Sequence, residues 1–165
     1  MLEEQRLDSN VHDCAKFDCG VPALNDYLAK FATQHRRRGI SQTYVLVNLG
    51  APAMVLGYYT LSAAQIDVEQ ISDADRKRLP HYPIPCFRMG RLACRRDRQG
   101  EGIGRVLLGC AVDRCLKARD EIASYALIVE AKDDKAKSFY EHYGFVESPL
   151  DPLVMMMLLT DLGSR

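Results

Sequence analysis

Three glycines that alternate with other residues constrain this chain more than any other feature. They occur in RRDRQGEGIGR, between a strand-like segment at residues 86–94 and residues 104–119, whose apolar positions recur at helical intervals. Glycine lets a ligand approach the backbone, and a helix start adds unpaired N–H donors and a partial positive charge. The sequence therefore predicts an anion-binding loop, with a purely structural tight turn as the alternative. Four flanking arginines add positive potential: Arg95, Arg96, Arg98 and Arg105.

Two common nucleotide-binding motifs do not match this loop. A dinucleotide-binding fingerprint requires glycine at the position of Arg105, and a P-loop requires a Gly-Lys-Ser/Thr sequence that the chain lacks. We therefore expect that this loop is neither a dinucleotide-binding fingerprint nor a P-loop.

The remaining segments predict an alternation of helices and strands. Leu24, Leu28 and Phe31 lie at helical spacing in one helix that ends at Gly39. This order in a chain of 165 residues predicts a single domain, residues 1–165, of the α/β (α+β) class, with one mixed sheet flanked by helices. The other expected elements are two antiparallel strands at residues 43–49 and 54–66, a short helix at 72–78, a strand at 125–131, a helix that ends at Gly144, a short strand, and a final strand at 153–159.

Charge, cysteine content and hydropathy argue against several classes of protein. Lysine plus arginine and aspartate plus glutamate both number 22, so attraction to a polyanion requires local clusters of charge. The polar start MLEEQRLDSN does not resemble a signal peptide, and the cysteine spacings do not fit a zinc knuckle, so we expect reduced thiols and no metal. No apolar run approaches the roughly 20 residues that span a bilayer. A soluble, cytoplasmic protein without a membrane contact is expected.

Two spaced motifs resemble those of the Gcn5-related N-acetyltransferase (GNAT) superfamily. Residues 99–104, Gln-Gly-Glu-Gly-Ile-Gly, resemble its Q/R-x-x-G-x-G/A pyrophosphate signature, and AKSFYEHYGF resembles its A-x-x-F-Y-x-x-x-G-F helix. The resemblance implies the GNAT fold with a largely antiparallel sheet, acetyl-CoA as co-substrate, and N-acetyl transfer. It also implies that residues 92–94 pair with the pantetheine arm and that the loop holds the pyrophosphate. Asp133 is a departure, because many relatives have asparagine there. The implied cofactor-binding residues are Leu92, Ala93, Cys94, Arg98, Gln99, Gly100, Glu101, Gly102, Ile103, Gly104, Arg105, Asp133, Ala136 and Phe139.

Tyr140 is the candidate catalytic residue. Acetyl transfer from sulfur to an amine needs a neutral amine, stabilisation of an oxyanion and a proton for the thiolate. A phenol with a pKa near 10 keeps its proton at neutral pH and can donate it to a thiolate. The alternative is a core tyrosine, and Phe139 and Tyr143 on the same helix are expected in the core. A backbone N–H near residues 92–94 is a candidate to polarise the thioester carbonyl.

No carboxylate or histidine is clearly placed as a general base. Glu130, at the end of a strand, is a candidate, but a surface salt bridge is the favoured role for this residue. A base matters less when the accepting amine has a low pKa: an α-amine titrates near 8, whereas a lysine amine titrates near 10.4. The reaction therefore favours an α-amino acceptor.

Further segments resemble the toxin branch of this superfamily, which is partnered in type II toxin–antitoxin operons with ribbon-helix-helix antitoxins. They are FDCGVPALNDYL, TYVLV, GYYTLS, PIPCFRMGRLA and FYEHYGFVESPLDPLVMMMLLTDL; their CG-x-x-x-LN and SP-x-DP elements are not general superfamily features. This resemblance implies acetylation of the α-amine of aminoacyl-tRNA, inhibition of translation, an antitoxin encoded adjacently, and a homodimer.

Local clusters of basic residues are candidates for contact with tRNA. For Arg36, Arg37 and Arg38 the alternative is a solvated helix end, and for Arg88 and Arg91 it is a structural ion pair. An acetyltransferase for protein N-termini or small amines, and a non-enzymatic CoA-binding regulatory module, remain alternative functions. The candidate tRNA-binding residues are Lys30, Arg36, Arg37, Arg38, Arg88 and Arg91.

Overall fold

The strands form one sheet with helices between them. The computed structural model describes residues 1–159. The seven strands lie in the order β1-β2-β3-β4-β5-β7-β6, and the pairs β1–β2, β2–β3, β5–β7 and β6–β7 are antiparallel. The predicted α/β class with a mixed, largely antiparallel sheet is confirmed. In chain order the elements are β1 (Leu2–Arg6), α1 (Pro22–Asp26), α2 (Ala32–Arg37), β2 (Gln42–Asn48), β3 (Gly57–Ile66), α3 (Asp73–Arg76), β4 (Ile84–Cys94), α4 (Ile103–Ala118), β5 (Ala126–Glu130), α5 (Asp134–His142), β6 (Val146–Glu147) and β7 (Val154–Leu158).

The chain divides into two compact units. The first comprises residues 1–62 and 89–113, and the second comprises residues 63–88 and the described chain from residue 114 onward. The single domain expected over residues 1–165 stays a prediction.

The first unit has an apolar core between its N-terminal segments and β2 and β3. Val45 and Val47 face this core, while Tyr44 and Leu46, which alternate with them along the strand, are also buried, so both faces of β2 are covered. This explains why β2 is a continuous apolar run rather than an alternating one. The buried members of the core are Leu7, Phe17, Cys19, Tyr27, Leu28, Ala32, Val45, Val47, Val55, Tyr58 and Ala93.

The second unit has its own apolar core and a tight turn between β6 and β7. The SP-x-DP segment forms this turn: the Ser148 hydroxyl donates to the carbonyl of Gln70 at 3.0 Å, and the Asp151 carboxylate accepts from the N–H of Leu153 at 3.0 Å. The hydrogen bonds of the SP-x-DP segment thus stabilise this turn within the second unit. The buried members of the core are Ile66, Val68, Ile71, Ile84, Cys86, Ala126, Ile128 and Met156.

Strand β1 was not predicted from the sequence. Its residues, LEEQR, are polar and mostly exposed, and pairing with β2 from Leu2 opposite Asn48 to Arg6 opposite Tyr44 makes the segment a strand. An edge strand held by backbone pairing needs no apolar alternation. The strand expected from residue 54 begins instead at Gly57.

The helix predicted before Gly39 is present over residues 22–37, but it is not α-helical throughout. A π-helical turn, Tyr27–Phe31, separates α1 from α2. In a regular α-helix Leu24, Leu28 and Phe31 would share one face, but a π turn contains an extra residue and rotates the residues after it around the helix axis. Leu28 is accordingly buried, whereas Phe31 is 45% exposed.

Candidate functional site

Two glycines of the loop adopt a backbone conformation that other residues avoid. Gly100 has φ +87° and Gly102 has φ +81°, both in the left-handed region. A Cβ at either position would meet no atom within 4 Å, so conformation and not space requires glycine here. These two residues turn the chain from the end of β4 into α4.

The turn leaves a group of backbone N–H donors open. The first bond of α4 runs from the N–H of Val106 to the carbonyl of Gly102 at 3.1 Å. Convergent donors at a helix start form an anion site, and a diphosphate fits this chemistry. Within residues 1–159, no acceptor is bound by the N–H groups of Gly100, Gly102, Ile103, Gly104 and Arg105.

The side chain of Gln99 holds the loop in place. Its Nε2 donates to the carbonyl of Cys19 at 3.2 Å and to the carbonyl of Cys94 at 3.4 Å. Gln99 is among the predicted cofactor-binding residues, and its side-chain amide donates to the protein backbone. The structure therefore gives this side chain a bracing role.

Residues of the CG-x-x-x-LN segment hold the Cys19 carbonyl to which Gln99 donates. We call the bond from Gln99 to Cys19 the brace. Asn25 Oδ1 accepts from the N–H of Cys19 at 2.8 Å, and Asn25 Nδ2 donates to Asp18 Oδ1 at 2.9 Å. Asp18 Oδ1 also accepts from the N–H of Gly20 at 2.8 Å. These two bonds and the nearby Arg96 and Arg95 hold the pKa of the Asp18 carboxyl below its usual value. The motif is visible in the sequence, but Asp18 and Asn25 were not predicted to be parts of the site.

Three of the four loop arginines are already paired with carboxylates. Arg95 lies 2.9 Å from Asp97, Arg96 lies 3.8 Å from Asp18, and Arg98 lies 3.8 Å from Glu101. Arg105 is exposed and has no ion pair in the described part of the chain. Arg105 is therefore the loop arginine best suited to meet an added anion.

Gly57 allows β3 to approach the end of β4 and the start of α4. A Cβ on Gly57 would lie 2.7 Å from Leu107 Cδ1 and 2.8 Å from the carbonyl oxygen of Ala93. A glycine inside a strand is the signal that could have identified this position, which the sequence analysis did not single out. Ala93 is buried, Leu92 is half-buried, and burial raises the pKa of the Cys94 thiol to about 11.

Helix α5 carries Tyr140 and belongs to the second unit. Tyr140 is 8% exposed and its ring contacts Phe139 and Phe145, with centroids 5.3 and 5.4 Å away. Phe139 and Tyr143 were expected in the core, but both are half-buried. The exposed parts of these rings are available to a ligand.

Asp133 has a structural task at the start of α5. Its Oδ1 accepts from the N–H of Ala136 at 2.8 Å and so caps the helix. Aspartate and asparagine both serve as N-caps, which explains how the departure from the family pattern is tolerated here. Glu130, at the end of β5, is exposed and has no ion pair within residues 1–159.

The candidate tRNA-binding residues differ in their surroundings. Lys30 pairs with Asp26 at 3.4 Å, and the guanidinium of Arg91 lies 3.4 Å above the ring of Tyr27. Arg88 is exposed and belongs to the second unit. Among the described residues, Arg36, Arg37 and Arg38 have no carboxylate partner.

Other kinds of site receive no support. All six cysteines are free thiols. In the part of the chain that the structure describes, no three His, Cys, Asp or Glu side chains are placed to hold a metal ion, and no helix is long and apolar enough to cross a membrane.

Comparison with known proteins identifies the family. The model of the acetyltransferase (GNAT) domain matches residues 54–147, more than half of the chain. A "tRNA-acetylating toxin" of Mycobacterium tuberculosis (strain ATCC 25618 / H37Rv) is 37% identical over 156 residues, which cover 94% of this chain and 92% of the relative.

Two solved structures share the fold over nearly the whole chain. AtaT complexed with acetyl-methionyl-tRNAfMet has a TM-score of 0.90 and 29% identity, and the match covers 98% of this chain and 97% of that one. A tyrosine-to-phenylalanine mutant of the toxin AtaT, bound to the C-terminus of the antitoxin AtaR and acetyl-CoA, has a TM-score of 0.81 and 27% identity over 99% of each chain. The chain therefore belongs to the GNAT family of N-acetyltransferases, whose acetyl donor is acetyl-CoA.

Proposed function

We propose that this chain transfers the acetyl group of acetyl-CoA to the α-amino group of aminoacyl-tRNA and so inhibits translation. One observation carries the proposal: the 37% identity to a tRNA-acetylating toxin extends over 94% of this chain and includes the segments outside the two cofactor motifs. The likeness to AtaT in its complex with acetyl-methionyl-tRNAfMet supports the same acceptor.

The glycine loop binds the pyrophosphate of acetyl-CoA in this proposal. The open N–H groups of Gly102, Ile103 and Gly104 donate hydrogen bonds to the phosphate oxygens, and Arg105 adds a charge-assisted contact. The backbone of residues 92–94 pairs with the pantetheine arm. The brace between Gln99 and Cys19 keeps the donors in place before the ligand arrives.

Tyr140 donates its phenolic proton to the departing thiolate. A phenol ordinarily titrates near 10 and a thiol near 8.5, so a phenol is suited to protonate or stabilise a departing thiolate at neutral pH. The attacking amine is the α-amine of the aminoacyl group. Because an α-amine titrates near 8, a substantial fraction is neutral without a dedicated base such as Glu130.

The cellular setting is inferred from the substrate. Charged tRNA is used in the cytoplasm, so the chain acts there, and it is held inactive by an adjacently encoded ribbon-helix-helix antitoxin. The antitoxin-bound structure of the related AtaT supports a partner of this kind. We also propose a homodimer and a reaction that uses no metal.

Mass analysis of the acceptor tests the proposal. The protein is incubated with acetyl-CoA and a pool of charged tRNA, which is then digested to aminoacyl-adenosine. An acetyl mass on the aminoacyl group is expected. Parallel reactions contain peptides with free N-termini and polyamines. Product on these acceptors and none on charged tRNA would favour a protein or small-amine acetyltransferase, and acetyl-CoA binding without any product would favour a regulatory module.

A further inference from the structure

Phe31 is a large apolar side chain in a segment whose exposed residues are mostly polar or basic, with Ala29 and Ile40 as exposed apolar exceptions. It is 45% exposed, and the neighbouring exposed positions of the same segment include Lys30, Gln34, Arg37 and Arg38. The π-helical turn directs the ring outward, although the spacing of the apolar residues favours the core. An exposed ring among cations points to a ligand that is both aromatic and anionic.

The ring of Phe31 is supported from behind. It stacks on Tyr27 with a centroid separation of 6.5 Å and an interplanar angle of 28°, and it contacts the ring of His35 at 6.2 Å. The Tyr27 hydroxyl bonds to His35 Nδ1 at 3.0 Å and to Ser41 Oγ at 2.7 Å. A ring fixed in this way loses little freedom when a ligand covers its exposed part.

Tyr27 is itself fixed by two further contacts. The Arg91 guanidinium lies 3.4 Å from its centroid, and the ring of Tyr58 lies at 6.5 Å in a stacked arrangement. Arg91 is thus used inside the protein to hold Tyr27. The contact of Arg91 with the substrate that the sequence suggested stays a prediction.

The charges beside Phe31 are available to a ligand. Arg37 and Arg38 are exposed and Arg36 is half-buried, and these three residues have no carboxylate partner within residues 1–159. Arg36 and Arg37 lie in the last turn of α2, and Arg38 follows directly after it. Single-stranded nucleic acid offers the matching pattern, because its bases stack on aromatic rings and its phosphates pair with arginine.

We propose that Phe31 is a stacking residue for an unpaired base of the acceptor RNA, and that Arg36, Arg37 and Arg38 contact the adjoining phosphates. The inference rests on the proposed function and adds a binding contact to it. The aminoacyl group is carried at the unpaired end of its tRNA, where bases are free to stack. Every base has a π-face, so this contact contributes affinity without selecting a sequence.

Binding of uncharged tRNA tests the stacking contact without any turnover. Fluorescence anisotropy is measured for the wild type, Phe31→Leu and Phe31→Tyr, with 2-aminopurine substituted at the unpaired end as a stacking probe. Phe31→Leu weakens binding about tenfold and abolishes the quenching of 2-aminopurine, because one stacked base contributes on the order of 1–3 kcal/mol. Phe31→Tyr keeps both signals, since it retains the ring.

Matched variants separate stacking from general effects. Tyr82→Leu removes another exposed aromatic, which is 65% exposed and lies in the second unit, and it leaves binding unchanged. We expect Phe31→Leu to have the circular dichroism spectrum and the acetyl-CoA affinity of the wild type. These two measurements distinguish the loss of a stacking contact from a folding defect. Wild-type affinity and quenching in Phe31→Leu would overturn the inference, including the case in which Phe31 serves only as a contact for a protein partner.

The salt dependence of binding tests the arginines. Loss of one phosphate contact lowers the slope of log affinity against log salt by about 0.7 for a single strand, so Arg37→Ala and Arg38→Ala each produce this change. Arg78→Ala, an exposed arginine in the second unit, does not. An unchanged slope in both Arg37→Ala and Arg38→Ala contradicts the phosphate contacts.

The two proposals fail in different ways. If the wild type binds tRNA and quenches the probe but leaves charged tRNA unacetylated, the proposed function is wrong and the stacking contact stands. If charged tRNA is acetylated and Phe31→Leu has the KM and kcat of the wild type, the proposed function stands and the stacking contact is wrong.

Discussion

The side-chain amide of Gln99 lies 3.2 Å from the carbonyl oxygen of Cys19, and the two residues are 80 positions apart in the chain. The bond joins the glycine loop to the CG-x-x-x-LN segment. It therefore fixes the glycine loop against a segment near the N-terminus. Loss of this bond should change the conformation of the loop more than it changes the stability of the first unit.

Gln99→Ala should weaken acetyl-CoA binding. The variant removes two hydrogen bonds whose net value is about 1 kcal/mol each, and the open loop then samples conformations in which its N–H groups no longer converge. We expect a loss of affinity of about tenfold, measured by calorimetry. Gln65→Ala, at an exposed position of β3, is the control and should bind as the wild type does. Equal affinities of Gln99→Ala and the wild type would show that the brace does not position the loop.

Gly102→Ala and Gly109→Ala should change stability in opposite directions. Gly102 has φ +81°, which costs an alanine about 1–2 kcal/mol. Gly109 lies inside α4 with open space around it, so alanine there should stabilise by about 0.5–1 kcal/mol. Urea unfolding measures both changes, and calorimetry should show weaker acetyl-CoA binding only for Gly102→Ala. A stabilised Gly102→Ala would mean that the loop relaxes out of the left-handed conformation.

Gly57→Ala should be among the most damaging conservative changes in the first unit. The added methyl would lie 2.8 Å from the carbonyl of Ala93, a backbone atom that cannot rotate away. Overpacking of this kind costs about 1–3 kcal/mol, and it displaces the strand end that precedes the loop. Gly50→Ala is the matched control, because its methyl would meet only Asn48 Oδ1 at 3.5 Å. Unfolding free energies that agree for the two variants would contradict the close approach of β3.

The sequence pattern predicted those helices and strands whose formation depends on residues close together in the chain. The helix expected at residues 104–119 is α4, Ile103–Ala118, because both its glycine loop and its apolar periodicity are encoded nearby. The strand β1 was missed, because pairing with a distant segment defines it and its own residues are polar. The π-helical turn was missed as well, since the spacing of Leu24, Leu28 and Phe31 suits a regular helix.

The candidate site was predictable only in part for the same reason. The positions of the glycines indicated an anion loop. The brace of Gln99 on Cys19 and the approach of Gly57 to Ala93 depend on how segments far apart in the chain pack, and no local pattern encodes such distances. The pairing of Arg95, Arg96 and Arg98 with carboxylates likewise required the folded geometry.

Asp18→Asn should destabilise the protein at neutral pH and become harmless in acid. The N–H of Gly20, the amide of Asn25 and the nearby arginines favour the charged carboxylate, so its pKa is lowered in the folded protein. A lowered pKa contributes stability above the ordinary value of about 3.9, and this stability is lost as the pH falls through the folded value. The difference in unfolding free energy between the variant and the wild type should therefore shrink below about pH 4. The exposed Asp120→Asn controls for the loss of one negative charge, and a difference that persists in acid would exclude this charge effect.

Tyr140→Phe should abolish acetyl transfer and leave acetyl-CoA binding intact. The variant keeps the ring that contacts Phe139 and Phe145, and it removes the hydroxyl that protonates the thiolate. Loss of a general acid lowers kcat by about 100-fold to 10,000-fold, whereas the acetyl-CoA affinity should stay within about twofold, because the loop contacts are unchanged. Single-turnover acetylation of charged tRNA measures the rate, and calorimetry measures the affinity. Expression of the wild type should arrest growth, and expression of Tyr140→Phe should not.

Tyr143→Phe is the matched control, because Tyr143 directly follows the last residue of the same helix. Tyr143 is half-buried and contacts Phe139 at 5.1 Å, so its ring packs in the same cluster while its hydroxyl has no assigned chemistry. The control should therefore retain the wild-type rate and the growth arrest. If Tyr143→Phe loses activity and Tyr140→Phe keeps it, the proton donor is Tyr143. If both variants keep the wild-type rate, the thiolate leaves without a tyrosine proton, and the role of α5 is confined to packing.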